Sequence, residues 1–284
     1  MRIAVTGSSG KIGRAAMAEL AAAGHRVIGL DLQRAAGAGW TAQCDCTDFG
    51  QVMGALSGID MLGGIPDAVI HLAGIPMPGL APDQRIFETN TLSTYNVMSA
   101  CARLGIRRLA WASSETILGL PFKTPPAFVP LDETHPDRPE WSYALSKQLG
   151  ETMADALVRW HPRMQIVSLR FSNVFVDEDY AGLAEIQAAP ERRRANLWSY
   201  IDARDAAQAC RLAVETEMPG HERLIIAAPD TVMNVPTTEL LGQFFADVPL
   251  RAPLEKFGSL LDSERAARRI GFRARHGWRN FQAR

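Results

Sequence analysis

The stretch that most restricts this chain comes first. Arg2-Ile-Ala-Val-Thr6 is a short β-prone run, and Gly7-Ser-Ser-Gly10-Lys-Ile-Gly13 follows at once. It opens an alanine-rich helical pattern that Gly24 closes in a C-terminal cap position. A strand, a glycine turn and a helix make the start of a dinucleotide-binding unit. Gly7 permits the tight turn, Gly10 lets backbone approach a pyrophosphate, and Gly13 lets helix and strand pack closely. Ser9, Lys11 and Ile12 complete the candidate phosphate loop, and the helix N-terminus offers free N–H groups. Glycines spaced this way can also form an ordinary loop. The next strand decides between the two, because Arg26-Val-Ile-Gly-Leu-Asp31 places a carboxylate about 20 residues further on, where it would grip a ribose 2′-hydroxyl. Asp31 would repel a 2′-phosphate, which favours NAD over NADP, although Lys11, Arg14 and Arg34 lie close in sequence.

A second stretch carries candidate chemistry: Ser113-Ser114, then Tyr143-Ala-Leu-Ser-Lys147. A tyrosine and a lysine four apart share one helix face. A phenol with a pKa near ~10 is a poor acid–base catalyst at neutral pH. A fixed ammonium one turn away is expected to lower that pKa. A serine hydroxyl aimed at the same point can hold a substrate oxygen while the tyrosine trades its proton. That suits moving hydride on and off a secondary alcohol.

The 284 residues suffice for one large α/β domain, or one domain with a small appended lobe. A formal net charge of -1 gives no reason to expect nucleic acid or an anionic membrane surface. No apolar run approaches the ~18–20 residues of a membrane span. Met1-Arg2-Ile3 runs straight into a strand-like segment with no room for a signal peptide, so the expected address is the cytoplasm. Cys44, Cys46, Cys101 and Cys210 have neither metal-ligand nor redox spacing and read as small buried thiols; no metal is expected.

With these residues in view, the chain resembles the extended short-chain dehydrogenases/reductases, the NAD-dependent epimerase/dehydratase family, and within it the uronate-dehydrogenase-like members. Gly-x-x-Gly-x-x-Gly is that family's glycine spacing. Gln43-Cys-Asp45-Cys46-Thr-Asp48 is similar to its short third strand, where Asp45 and Cys46 would touch the adenine; Asp48 also reads as a helix N-cap. Asp67-Ala-Val-Ile-His-Leu-Ala-Gly74 is similar to its fourth strand, with Leu72, Ala73 and Gly74 lining the cofactor and His71 packed. Asn90-Thr-Leu-Ser-Thr-Tyr-Asn96 resembles its Asn-x-x-Gly-Thr-x-Asn helix, Ser93 replacing the glycine, with Asn90 on the cofactor side. Arg108 to Ala112 reads as the fifth strand, Ser114 then matching the catalytic Ser/Thr and Ser113 facing the cofactor. Gln165 to Val174 reads as the sixth, with Phe171, Ser172 and Asn173 bordering the nicotinamide and Arg170 in a structural ion pair. The resemblance implies Tyr143 as acid–base, Ser114 orienting the oxygen, and Lys147 lowering the tyrosine pKa and binding the nicotinamide ribose.

Residues 119–141 are too rich in proline for a helix and read as a stiff loop walling the substrate pocket. Phe122, Phe128 and Trp141 would contact substrate there or anchor the loop. Only residues 174–197 separate Asn173 from the Trp198–Asp205 block, a shorter segment than nucleotide-sugar enzymes of the family carry. Arg192-Arg-Arg194 within it would meet a carboxylate or phosphate, or form a solvated charge run. Arg223 to Ala228 reads as a strand, Thr237 as the start of a capped helix, and Ser259 to Gly271 as the closing helix.

The expected fold is α/β, a Rossmann-type doubly wound parallel sheet with a small C-terminal substrate-binding lobe. Residues 1–172 would form the NAD-binding part. Residues 173–284 would be mostly lobe, with about 198–230 returning to the core. The expected function is NAD-dependent hydride transfer at a secondary alcohol of a sugar or sugar acid. Alternatives are a sugar epimerase that keeps its NAD and a non-catalytic dinucleotide sensor. A 4,6-dehydratase is disfavoured because the pair after Ser114 is Glu115-Thr116 and lacks the second carboxylate. By analogy the chain would pair as a homodimer through helices near 85–104 and 143–160.

Overall fold

The computed structural model of the chain describes residues 1–33, 40–58 and 63–281; Arg34 lies outside them. Strands β1 (Arg2–Thr6), β2 (Arg26–Asp31) and β3 (Trp40–Gln43) alternate with helices α1 (Lys11–Ala22) and α2 (Phe49–Leu56). Next come β4 (Ala68–His71), α3 (Asp83–Leu104), β5 (Arg108–Ser114), α4 (Ser142–Trp160) and β6 (Gln165–Phe171). The chain then forms β7 (Val174–Phe175), α5 (Asp177–Tyr180), α6 (Leu183–Ala188), β8 (Ile201–Asp202), α7 (Ala203–Glu215) and β9 (Gly220–Ile226). Helices α8 (Thr237–Phe244) and α9 (Glu264–Ile270) complete it.

Seven strands form one parallel sheet in the order β3-β2-β1-β4-β5-β6-β9. The direction of winding reverses between β1 and β4, the crevice where open α/β sheets bind ligands. Helices α1 and α7 pack on one face, α2, α3 and α4 on the other. A third apolar cluster joins the 118–131 loop to Phe175, Trp198, Tyr200 and α8, beyond the C-terminal ends of the strands.

The third strand corrects the sequence reading, ending at Gln43 where that reading has it begin. Asp45 Oδ1 accepts from the Thr47 N–H at 2.8 Å and Asp48 caps α2 by accepting from the Gln51 N–H at 3.1 Å. Side chains that capture nearby N–H groups turn the backbone out of a ladder. Helix α8 starts at Thr237 as expected, but its N-cap is Pro236 and the Thr237 hydroxyl donates to the Gly258 carbonyl at 2.9 Å.

Strand β6 is buried along its whole length, yet contains Gln165, Ser168 and Arg170. Such groups are tolerated only when hydrogen-bonded. Gln165 donates to the Ala213 and Thr216 carbonyls, and Ser168 accepts from the Trp111 indole at 2.6 Å. Arg170 meets both oxygens of Glu151 at 2.9 and 2.7 Å and Asp137 at 3.0 Å, the structural ion pair expected of it.

Helix α4 lies flush on β5 because Gly150 faces the Trp111 ring; a Cβ there would overlap the indole. Gly150→Ala is therefore expected to cost ~1–3 kcal/mol through overpacking. Gly242→Ala on α8, where a Cβ meets open space, should stabilise by ~0.5–1 kcal/mol. Urea unfolding of both variants checks this, and equal effects at the two glycines would contradict the packing argument.

Candidate active site

The glycine loop stands at the reversal point. Gly7 has φ +67, and a Cβ on it would lie 2.6 Å from the Ala73 nitrogen and the Leu72 carbonyl carbon. A Cβ on Gly13 would overlap the Gly7 carbonyl, so loop, helix and β4 end can meet only through bare backbone. Gly10 is the N-cap of α1 and has no side chain to satisfy the N–H groups of Lys11, Ile12 and Gly13. Such a cradle fits a pyrophosphate. Asp31 ends β2 half-buried, its Oδ2 accepting from the Ser9 N–H at 2.9 Å. Among the described residues, neither Arg14 nor Lys11 neutralises it. Arg14 donates to the Ser9 carbonyl at 2.6 Å, and Lys11 reaches across to Asp179 at 2.6 Å.

Around this cradle, Leu72 and Ala73 are tied to β1 through the Thr6 hydroxyl. Asn90 holds the next turn with both amide atoms on Ile75, at 2.7 and 3.0 Å, beside Gly74. Its side chain thus shapes the loop instead of reaching outward. Asn96 donates to the Cys46 and Thr47 carbonyls, which fixes the Asp45–Cys46 turn. All four cysteines are free and buried. His71 is packed between Thr6 and Thr94, and burial drives its pKa down to about 3, so it stays neutral.

Ser114 ends β5, directly beside Phe171 of β6. Tyr143 and Lys147 stand on the buried face of α4. The fold therefore brings together a triad drawn from two distant segments. The Ser114 oxygen accepts from the Thr116 N–H at 3.2 Å and hydroxyl at 3.0 Å, which leaves its own proton to donate. Ser113 points elsewhere, its hydroxyl donating to Glu151 at 2.6 Å, so only its backbone is left to face a cofactor.

Electrostatics here depart from the sequence reading. Lys147 was expected to lower the Tyr143 pKa. Instead, burial pushes the phenol up to about 12; the Ser114 hydroxyl pulls it down by less, and the Glu115 charge adds to the rise. The Lys147 nitrogen lies 5.5 Å from the Tyr143 ring centre and donates to the Ala112 carbonyl at 2.7 Å. Burial lowers its own pKa to about 8.

Glu115 is a residue whose importance the sequence concealed. It follows Ser114 and is buried, accepting from the Ser199 hydroxyl at 3.1 Å. Burial pushes its pKa up to about 7, while Ser172, Ser199 and Arg193 favour the ionised form. Of the three consecutive arginines, 192 and 194 are exposed and Arg193 turns inward, its guanidinium 5.4 Å from the centre of the Phe175 ring. In the 119–141 loop, Phe128 packs in the interior against His135 at 5.2 Å, and Phe122 packs against the lobe cluster. Asn173 is exposed, its carbonyl receiving the Ile201 N–H. Among the described residues no three His, Cys, Asp or Glu side chains are placed to hold a metal, and no helix is long and apolar enough to cross a membrane.

A carboxyl whose folded pKa lies above its ordinary 4.5 favours folding at low pH, and that contribution is lost as pH rises through about 7. The difference corresponds to on the order of 3 kcal/mol. Relative to wild type, Glu115→Gln should therefore gain stability between pH 4.5 and 8. Urea midpoints across that range test it, and parallel curves for the two proteins would contradict it.

Comparison with known proteins places this geometry. A sequence model of the NAD-dependent epimerase/dehydratase family matches residues 3–227. An L-arabinose 1-dehydrogenase (NAD(P)(+)) of Haloferax volcanii is 27% identical over 84% of this chain and 92% of its own. A uronate dehydrogenase of Pseudomonas syringae pv. tomato is 25% identical over 78% of this chain and 72% of its own. Among solved structures, a short-chain dehydrogenase/reductase superfamily protein of Agrobacterium tumefaciens with bound NAD superposes with a TM-score of 0.72. It is 24% identical, and the match covers 98% of this chain and 94% of that one. The chain is thus a member of the NAD-dependent epimerase/dehydratase family.

Proposed function

We propose that the protein is an NAD-dependent dehydrogenase that oxidises a secondary alcohol of a small, free sugar-like substrate. The observation that carries this is the meeting of Ser114, Tyr143 and Lys147 at the C-terminal end of β5, in the same parallel sheet whose β1 and β2 ends carry the cradle and Asp31. Bound NAD supplies the hydride acceptor. Ser114 donates its proton to the substrate oxygen and so fixes the carbon to be oxidised. Tyr143 takes the hydroxyl proton. Lys147, one helical turn from Tyr143, would bind the nicotinamide ribose. The short 174–197 segment forms only two small helices, tight turns and one edge of a two-stranded ladder. That leaves little structure to fold over a nucleotide and supports a free sugar. The Haloferax and Pseudomonas relatives are named for such substrates.

A sugar epimerase using the same triad is the second reading. The Lys11–Asp179 ion pair favours it, since it spans from the phosphate loop to the lobe and would slow dinucleotide release. A pure sensor has no use for an intact triad. We place the protein in the cytoplasm as a homodimer. Leu92 and Tyr95 on α3 and Leu145 on α4 are exposed apolar side chains on the helices the family pairs through.

Tyr143→Phe should bind NAD as wild type does and lose at least ~10²-fold in turnover. Because the phenol is held protonated, wild-type oxidation should quicken as pH rises and carbonyl reduction should slow. Undiminished turnover in the variant would overturn the assignment. Light scattering should show a dimer that Leu92→Glu weakens, and a wild-type monomer at micromolar concentration would contradict the assembly.

A further inference from the structure

The groups around Glu115 are left one hydrogen bond short. Among the described residues, only Ser199 donates to the Glu115 carboxylate, through Oε2. The Ser172 hydroxyl and the Arg193 Nε are buried and have no partner, and both residues lie close enough to influence the Glu115 charge. Single buried side-chain atoms without a partner also occur on Ser8, Thr89, Thr91, Trp141, Arg170 and Gln208, but here two fall around one buried carboxylate. An unsatisfied cluster beside the reacting group is what a ligand's polar atoms would complete. Glu115 directly follows Ser114, which caps its turn, and this places the cluster at the catalytic end of the site. The backbone is bent to build it. Leu197 and Trp198, both buried, have φ of 55 and 53, a region that non-glycine residues rarely occupy, and they deliver Ser199 to Glu115.

We propose that Glu115 and Arg193, bridged by Ser199, whose hydroxyl donates to the first and whose carbonyl accepts from the second, line the substrate site as opposite charges, through which the protein selects an uncharged polyhydroxy substrate, a neutral free sugar, over a sugar acid. The inference rests on the function proposed above and names its substrate class. A sugar hydroxyl is both donor and acceptor, so one hydroxyl can donate to Glu115 and another can accept from Arg193. A substrate carboxylate has only acceptors. It would meet the like charge of Glu115, while the arginine that would welcome it is already balanced. Glu115 thus acts as a specificity-determining residue, distinct in role from Ser114 and Tyr143.

The test compares kcat/KM for neutral pentoses and hexoses with that for the corresponding uronic acids, using wild type, Glu115→Gln and Glu115→Gln/Arg193→Leu. Wild type should prefer the neutral sugar. Glu115→Gln should lose about 10- to 100-fold on it, the scale of one hydrogen bond to a charged group. The same variant should raise the ratio of acid to neutral sugar at least about tenfold, and the added Arg193→Leu should abolish that gain. A pH series gives a readout that a merely structural role would not move. In wild type the acid-to-neutral ratio should rise as pH falls through about 7 and Glu115 loses its charge, and in Glu115→Gln it should stay flat. Arg193 from the 190–199 segment, Tyr143 and Lys147 from α4, and Asp179 of α5 beside Arg193 also face this cluster. Both variants retain them or remove only Arg193.

A wild-type preference for uronic acids, or an unchanged ratio in Glu115→Gln, would overturn the proposal. Failure of the underlying function looks different. If no sugar is oxidised, calorimetric binding of the same two sugar classes to NAD-saturated protein still decides: neutral-sugar binding weakened by Glu115→Gln supports the substrate class while the oxidoreductase reading falls. Binding of neither class overturns both.

Discussion

The site depends on how helix α4 is docked, and a single buried carboxylate sets that docking. Glu151 receives the Ser113 hydroxyl from β5, both arms of the Arg170 guanidinium from β6, and Arg223 from β9 at 2.8 Å. These partners hold its pKa below the ordinary carboxylate range despite burial. A buried pair of this kind adds little net stability over apolar packing, but removing one partner strands a charge, so the arrangement fixes geometry above all. Tyr143, Lys147 and Glu151 are four residues apart in turn and share one face. Pinning Glu151 to three strands therefore pins the rotation and register of the helix. Gly150 sets its height by letting the backbone settle on Trp111. Tyr143 then has one place to stand, beside Ser114.

Two kinds of buried polar group follow from this. Around β6 and Glu151, donors and acceptors match except for the Arg170 Nη1, and the result is a rigid floor. Around Glu115, Ser172 and Arg193 they do not match, and the cluster sits where the sheet ends and the lobe begins. Unsatisfied polar groups cost stability, so a fold keeps them where a ligand will complete them. The same contrast separates the two cationic side chains near the sheet's end. Arg170 is held by two carboxylates, Glu151 and Asp137, whereas Arg193 donates to the Ser199 carbonyl and keeps its Nε unpaired.

Much of this was legible in the sequence because it is local. Glycine spacing, an aspartate at the end of the second strand, and a tyrosine four residues before a lysine are short-range patterns whose physics survives without coordinates. The remaining strands of the sheet followed from the family resemblance, and the packing of His71 from its place in an apolar strand. The third strand was misplaced because two aspartates turn the chain at 44–48, and strand propensity does not register side-chain capture of N–H groups. The Tyr143 pKa was misjudged because helix spacing reveals the lysine but not the burial that outweighs it. Glu115 and Arg193 were hidden for a third reason: their environment is assembled from Ser199, 84 residues from Glu115 in sequence, and three adjacent arginines look alike until the fold turns one inward. The position of Glu115 next to Ser114 was the one available signal.

The most direct test of the central claim is the absorbance of reduced nicotinamide while free sugars are offered to the purified wild-type protein with NAD. The account predicts NADH that accumulates in solution over many turnovers with at least one free sugar, in step with sugar consumed. No release of NADH with any sugar, from a protein that already carries tightly bound dinucleotide, would contradict it and would move the assignment to an epimerase.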